Sequence, residues 1–175
     1  MKSTIIKIAA IFLFSPFSQA QTQSDEWNLV ANSQDNYYGV AMANGQIGIV
    51  TDATPLKTKE IILNGVYDGS PENGISRIVR GIEFLNLRLV INGEEVTASN
   101  IDKWEQVVAM KEGTSTTSFR FKDIAAIEYT ILANRALPFS AMAIVKITPL
   151  KDIEMTAVNY MTVPEELKQA KRQFR

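Results

Sequence analysis

The chain has 175 residues, with 18 basic side chains, 19 acidic side chains and a formal net charge of −1. It contains no cysteine and no histidine, which excludes disulfides, thiolate metal sites and any catalytic triad built on histidine. The even charge balance provides no basic field for nucleic acid or anionic membranes, so we expect neither as a partner. The sequence has no phosphate loop, zinc-ligand spacing or dinucleotide fingerprint, so we expect no cofactor and no metal.

Residues 1–20 have the pattern of a secretory signal peptide. Two lysines accompany an apolar run from Ile8 to Phe14 that is too short to cross a bilayer as a permanent helix. Small side chains at Ser18 and Ala20 fit a cleavage site, which predicts a mature chain beginning at Gln21. No cysteine follows to accept a lipid, so we expect a periplasmic or secreted protein without a membrane anchor. A buried N-terminal helix is the alternative.

Asn-Gly pairs give the strongest turn signals in the chain. Residues 37–50 place β-prone arms on both sides of Asn44-Gly45, which predicts a hairpin with a type I′ turn. A short strand from Glu60 to Leu63 is predicted to end at Asn64-Gly65, and Asn92-Gly93 turns the chain again. The hairpin fixes an all-β interpretation from one end of the chain. Within it, two further glycines are interpreted as close-packing positions, Gly39 and Gly48.

Alternating apolar side chains predict further strands along the rest of the chain. These are residues 82–91, 94–96, 104–110, 115–121, 125–133, 139–147 and 153–161. The segment from Phe139 to Ile147 is apolar on both faces, which is typical of a central strand in a packed sheet. So many strands at short spacing favour an all-β fold, an antiparallel β-sandwich in a single domain over residues 21–163.

The last residues, 164–175, have a different pattern. Thr162 to Glu165 fits a helix capping box with proline in the first turn, and residues 166–175 are compatible with a helix that ends in basic side chains. A helix of about ten residues with so little apolar surface is marginal alone. Two interpretations stay open: a frayed tail, or the start of a linker helix.

Candidate chemistry is sparse, and we identify no catalytic residue. The loop from Asn64 to Gly74 contains two carboxylates and a tyrosine, and paired carboxylates suit glycoside hydrolysis. Turn chemistry alone also accounts for that composition. Flat aromatic rings can stack on sugars, although core packing is the alternative for each. The candidate carbohydrate-binding residues are Tyr37, Tyr67, Asp68 and Trp104.

Four segments follow one another in a distinctive order: Tyr38-Gly39, residues 43–48, residues 64–68 and residues 87–94. This order resembles the N-terminal domain of glycoside hydrolase family 65. The family includes phosphorylases of maltose, trehalose and kojibiose, and also some α-glucosidases. The resemblance extends from Trp27 to about Leu167, and it rests on order and spacing more than on any single motif.

The resemblance implies a galactose-mutarotase-like super-sandwich of antiparallel strands, followed in the family by a linker and a helical barrel that carries the catalytic glutamate. No residue of this chain matches that glutamate or the phosphate site. The implied function is a non-catalytic domain, inactive alone, whose missing partner is the catalytic barrel and whose full enzyme acts on an α-glucoside. A second copy of the chain, in a homodimer, is a further possible partner. The family's phosphorylases usually carry Arg-Gly shortly after the position of Gly48, where this chain has Ile49-Val50-Thr51, and this difference favours hydrolysis.

A stand-alone periplasmic carbohydrate-binding or adhesion sandwich is the alternative function. It depends on the export pattern and on aromatic side chains that could be exposed. A free-standing enzyme has the least support, because the chain lacks histidine, cysteine and a convincing carboxylate pair.

Overall fold

A computed structural model of the protein describes residues 26–67 and 77–168. In chain order its strands are β1 (Asn28–Ala31), β2 (Ala41–Ala43), β3 (Ile47–Thr51), β4 (Thr58–Tyr67), β5 (Ile78–Arg80), β6 (Glu83–Ile91), β7 (Glu94–Glu95), β8 (Ile101–Ala109), β9 (Thr114–Phe121), β10 (Ala125–Ala133), β11 (Ala141–Pro149) and β12 (Met155–Thr162). One 3₁₀ turn, Lys122–Ile124, joins β9 to β10, and one short helix, α1, covers Glu165–Lys168.

The strands form three antiparallel sheets. The first has the order β1-β8-β9-β10-β11, the second β2-β3-β4-β5 and the third β12-β6-β7. This architecture confirms the predicted all-β antiparallel fold. The super-sandwich subtype stays a prediction, as do the domain limits drawn at residues 21 and 163.

A single apolar core joins the three sheets. Alternate residues of β9 and β10 point into it, and Phe121, Ile127 and Ile131 are almost completely buried. Ile49 of β3 and Leu89 of β6 belong to the same cluster. The alternation predicted for residues 115–121 and 125–133 is therefore confirmed. Each of these side chains contributes about 2 kcal/mol to stability by leaving water, and this burial holds the three sheets together.

The predicted central position of the strand near residues 139–147 is wrong. The strand is β11, and it lies at the edge of the five-stranded sheet, paired with β10 alone among the described residues. Its inward side chains pack against the core, whereas Met142 and Ile144 on the opposite face are 45% and 50% exposed. Here the strand that is apolar on both faces lies at the edge of the sheet, and its outward apolar side chains are exposed.

The second and third Asn-Gly pairs have different structures. Asn92 and Gly93 have φ of 50° and 79°, as a type I′ turn requires, and they join β6 to β7 with Ile91 opposite Glu94. Asn64-Gly65 does not end its strand, because β4 continues through it to Tyr67. Gly65 has φ of 80° and lies where the pairing of β4 with β5 changes register. A bulge of this kind exploits the left-handed conformation of glycine instead of turning the chain.

The chain termini are described only in part. Helix α1 begins at Glu165, later than a capping box at Thr162 predicts, because Thr162 is still part of β12 and its hydroxyl oxygen accepts from the Asn86 side chain at 3.1 Å. The remainder of the predicted helix, residues 169–175, lies outside the described residues. The predicted signal peptide also lies outside them. Within residues 26–67 and 77–168, no helix has the length and apolar character needed to cross a membrane.

Candidate functional site

The hairpin between β2 and β3 has a different turn from the one predicted. Ala43 pairs with Gly48, so the two central residues are Gly45 and Gln46, and the predicted type I′ turn at Asn44-Gly45 is wrong. Gly45 alone has positive φ, 89°, which is the requirement of a type II′ turn. Asn44 precedes the turn, and its side-chain oxygen accepts the backbone N–H groups of Gln46 at 3.0 Å and Ile47 at 2.9 Å.

The two other glycines of the hairpin arms differ in their surroundings. A Cβ added at Gly39 would lie 2.5 Å from the carbonyl oxygen of Thr51, and φ there is 94°. Gly39 is therefore a close-packing position, as predicted. At Gly48 the nearest atom, Cβ of Ile62, lies 3.9 Å away, which is ordinary contact. The close-packing interpretation of Gly48 is wrong.

The tip of the hairpin is held by two neighbouring segments. The Asn64 backbone N–H donates to the Gln46 carbonyl at 2.8 Å, and the Asn64 side chain donates to the Gly45 carbonyl at 3.0 Å. The Asn44 side chain donates to the carbonyl of Asn134, which follows β10. These bonds fix the tip against the end of β4, where Tyr67 lies.

A cleft of about 190 Å³ lies beside this tip. Its lining combines the amides of Gln46 and Asn64 with Tyr67 and apolar side chains such as Ile78. The ring of Tyr67 is 56% exposed. An exposed aromatic face next to side-chain amides is a suitable surface for one sugar ring. The volume is below the roughly 300–1,000 Å³ of enclosing ligand pockets, so contact would be partial.

Two of the candidate aromatic residues lie elsewhere, in the interior. Tyr37 and Trp104 pack edge to face with ring centroids 5.5 Å apart. Trp104 is only 7% exposed, so its ring faces neighbouring side chains instead of solvent. Neither residue lines the cleft that contains Tyr67. Asp68 follows Tyr67 directly in the chain and lies outside the described residues. Carbohydrate binding by these four residues stays a prediction.

A buried polar network surrounds the Tyr37 hydroxyl. That hydroxyl contacts Oγ1 of Thr51 and donates to Oε1 of Gln106, while the Gln106 amide donates to Oγ1 of Thr117 at 2.8 Å. Burial raises the pKa of Tyr37 above its ordinary value. The network joins β3 of the second sheet to β8 and β9 of the first. Its members satisfy one another's hydrogen-bonding groups, with Thr51, Gln106 and Thr117 buried and Tyr37 partly buried.

Sequence reasoning missed Gln106, although a signal was present. Trp104, Gln106 and Val108 alternate along β8 and all three are buried, with Gln106 only 2% exposed. A polar side chain on an otherwise apolar face must find partners inside the protein. Its position in the pattern therefore indicates a buried hydrogen-bonding residue. The partners are Tyr37, Thr51 of β3 and Thr117 of β9, which no local pattern identifies.

The described residues provide binding surface but no acid chemistry at the cleft. The described part of its lining includes no aspartate or glutamate. The two carboxylates of the loop from Asn64 to Gly74, Asp68 and Glu72, lie outside the described residues. Within the two described ranges, no group of three or more metal-ligating side chains comes together.

Comparison with known proteins identifies the class of domain. Residues 38–173 match the family model of the glycosyl hydrolase family 65 N-terminal domain. Because this match covers most of the chain, the protein belongs to glycosyl hydrolase family 65 through its N-terminal domain.

Two curated relatives refine the comparison. The chain is 37% identical over 176 aligned positions to a kojibiose hydrolase of Flavobacterium johnsoniae and 34% identical to a kojibiose hydrolase of Mucilaginibacter mallensis. Each alignment covers 99% of this chain and 26% of the relative. The chain therefore spans about a quarter of the length of the curated relatives it matches.

Proposed function

We propose that this chain is the non-catalytic N-terminal domain of a glycoside hydrolase that acts on α-glucosides, with kojibiose as the first substrate to test. The observation that carries the proposal is the pairing of the family match with two relatives that are kojibiose hydrolases. The segment Ile49-Val50-Thr51, where the family's phosphorylases usually have Arg-Gly, is consistent with hydrolysis in place of phosphorolysis.

A supporting role fits the described residues better than catalysis. The interior is occupied by apolar packing and by the network of Tyr37, Thr51 and Gln106. Glycoside hydrolysis needs a general acid at the glycosidic oxygen, and none of the described residues that line the cleft is a carboxylate. The domain would therefore brace another part of the enzyme that supplies the acid.

Export belongs to the same proposal. The pattern of residues 1–20, with a short apolar run and small residues before Gln21, would direct the enzyme to the periplasm or the medium. An exported hydrolase meets oligosaccharides outside the cytoplasm, where water and not a phosphate pool is the abundant acceptor. The export pattern and the absence of the Arg-Gly pair thus favour the same reaction.

A chimaera tests the function directly. The quarter of the F. johnsoniae kojibiose hydrolase that aligns with this chain is replaced by this chain, and glucose release from kojibiose is measured. We expect turnover by the chimaera, loss of turnover when that quarter is deleted, and no turnover by this chain alone. Glucose release by the 175-residue chain alone would contradict a non-catalytic role, and an inactive but folded chimaera would contradict the assignment to this enzyme class.

A second candidate function is sugar binding by the chain itself. The specific observation in its favour is the exposed ring of Tyr67 beside the amides of Gln46 and Asn64. Such binding needs no catalytic group, and it could operate in a stand-alone domain or within a larger enzyme.

A further inference from the structure

The apolar core is open along one side of the molecule. The first sheet ends at β11 and the third ends at β12, and β11 contacts β6, the strand that pairs with β12. The free edge of the first sheet therefore lies near β6, the strand next to the free edge of the third sheet. Among the described residues neither β11 nor β12 has a second partner strand. We call this region the open side.

The inward face of β12 is exposed although its neighbour is buried. Met155 and Ala157 lie opposite Ile91 and Leu89 in the pairing of β12 with β6, and residues directly opposite one another share a face of the sheet. Ile91 and Leu89 are completely buried, whereas Met155 is 53% exposed and Ala157 is also exposed. The buried face of the sheet thus continues onto β12, where no opposing layer of described residues covers it.

The five-stranded sheet shows the same transition at β11. The inward side chains of β10, such as Ile127 and Ile131, are almost fully buried. Those of β11, Val145 and Ile147, pack against the core and remain half-buried. Burial therefore decreases strand by strand toward the open side in both sheets.

The two edges have few of the features that protect a free strand. Stable edges are usually blocked by charges, prolines or bulges, because an unpaired strand otherwise recruits another. The sequence of β12, MTAVNYMT, has no charged residue and no proline, and its one irregularity is a register shift near its end, between Tyr160 and Thr162. Strand β11 has a proline only at its last residue, Pro149, and its one lysine, Lys146, is paired with Glu128 of β10 at 2.9 Å. Most of each edge is therefore regular strand that could pair with another.

We propose that the open side is completed by β-strands from the remaining part of the longer enzyme, which pair with β11 or β12 and close the core. This inference rests on the proposed function. The relatives are about four times as long as the aligned segment, so they contain ample additional chain. A strand within the same polypeptide also avoids the cost of association, because its effective concentration is high. A second copy of this chain is the competing occupant.

Thiol reactivity tests the occupant, and the absence of native cysteine makes the experiment specific. Ala157→Cys places a thiol on the open side, and Ala98→Cys places a matched control in the exposed turn before β8. Each variant is prepared in the isolated chain and in the chimaera with the F. johnsoniae enzyme. Mass spectrometry of the chain's own peptides then reports the rate of alkylation.

We expect the two thiols to react at similar rates in the isolated chain. In the chimaera the thiol at residue 157 should react at least about tenfold more slowly, and the thiol at residue 98 should not change. Equal rates in a folded chimaera would overturn the inference while leaving the proposed function intact if glucose is released. Slow reaction at residue 157 in a folded but inactive chimaera would support the inference and contradict the proposed function.

The isolated chain provides a second measurement that does not depend on folding of the chimaera. Sedimentation velocity and alkylation at residue 157 are compared at low and high protein concentration. A dimer that protects residue 157 in proportion to its population would show that a second copy fills the open side, and would overturn the inference. Reactivity that is independent of concentration in a monomer supports it.

Discussion

Tyr129 connects two sheets through a single hydroxyl group. Its ring is buried in the core from β10, and its hydroxyl donates to the carbonyl oxygen of Leu85 in β6 at 2.7 Å. Burial, and secondarily the nearby Tyr160, raise its pKa well above the ordinary value of 10.0. The neutral phenol is thus favoured in the folded state, and this preference has a consequence for stability at alkaline pH.

We expect the free energy of unfolding to decrease as pH rises above 10.0. Above that value the unfolded chain releases the Tyr129 proton, whereas the folded chain retains it until its own higher pKa is reached. The contribution is therefore present below the unfolded pKa and is lost on the alkaline side. Urea unfolding between about pH 7 and pH 11 measures the slope.

Tyr129→Phe should be less stable than the parent at neutral pH by about 1–3 kcal/mol, because the Leu85 carbonyl loses its donor. Its loss of stability at alkaline pH should be shallower, since it lacks the phenol. Tyr38→Phe is the matched control, because Tyr38 is 79% exposed. An unchanged alkaline slope in Tyr129→Phe would contradict the assignment.

Tyr67 is the residue through which sugar binding can be tested. Tyr67→Ala removes the exposed ring of the cleft at the hairpin tip, and Tyr38→Ala removes an exposed ring that does not line it. If the cleft binds kojibiose, Tyr67→Ala should weaken binding about tenfold, in line with the loss of about 1–2 kcal/mol of ring contact. Calorimetric titration of the chain measures the affinity. Equal affinities for both variants and the parent would place binding elsewhere, and no heat with the parent would end the hypothesis.

At the scale of elements, the hairpin of β2 and β3 shows how tertiary contacts choose a register. Asn44 is held by the carbonyl of Asn134, and Gln46 is held by the backbone N–H of Asn64. These partners are distant in the chain, and the turn residues are shifted by one position from those that the dipeptide favours locally. Asn92 also has a distant partner, Glu154, so the effect depends on which groups the partner holds. The Asn92-Gly93 turn lacks such a shift and adopts the type I′ geometry expected of the dipeptide.

Two alanine substitutions compare the packing of the hairpin arms. Gly39→Ala would place a methyl group 2.5 Å from the Thr51 carbonyl at φ of 94°, so the free energy of unfolding should fall by about 2 kcal/mol or more. Gly48→Ala meets nothing closer than 3.9 Å and has no positive φ, so the change should lie within about 1 kcal/mol of zero. Urea unfolding at neutral pH measures both. Equal destabilisation would show that the arms pack differently.

For the whole molecule, the sequence pattern of residues 1–20 predicts that they are removed during export. If the N-terminal pattern directs export, protein recovered from the periplasm or medium should begin at Gln21. Intact mass spectrometry of secreted material checks this. Ala20→Leu should block cleavage because a small side chain is required before the cleaved bond, and Ala10→Leu within the apolar run is the matched control. Retention of residues 1–20 in exported protein would contradict the prediction.

The positions of several strands along the chain were predictable from sequence, because the alternation of apolar and polar residues is a local property. The bounds of β10 match the predicted 125–133, and the buried face of β9 follows its alternating residues. In β6 the alternation holds only in part, because Asn86, on the face opposite Leu85 and Leu89, is buried as well. The edge position of β11 was not predictable, because an apolar strand has the same pattern at an edge that awaits a neighbour as in the middle of a sheet. The candidate site was predictable only in residue type, since burial of Trp104 and exposure of Tyr67 depend on which sheets meet.

The sequence by itself determined the absence of histidine and cysteine chemistry, the all-β class and the family, because these follow from composition, from two-residue alternation and from the order of motifs along the chain. Only the tertiary structure decided the turn at Gly45-Gln46, the burial of Gln106 and the open side at β11 and β12. Each of these depends on contacts between segments far apart in sequence. Local propensity cannot select among such contacts, because the energy that decides them comes from packing of the assembled sheets.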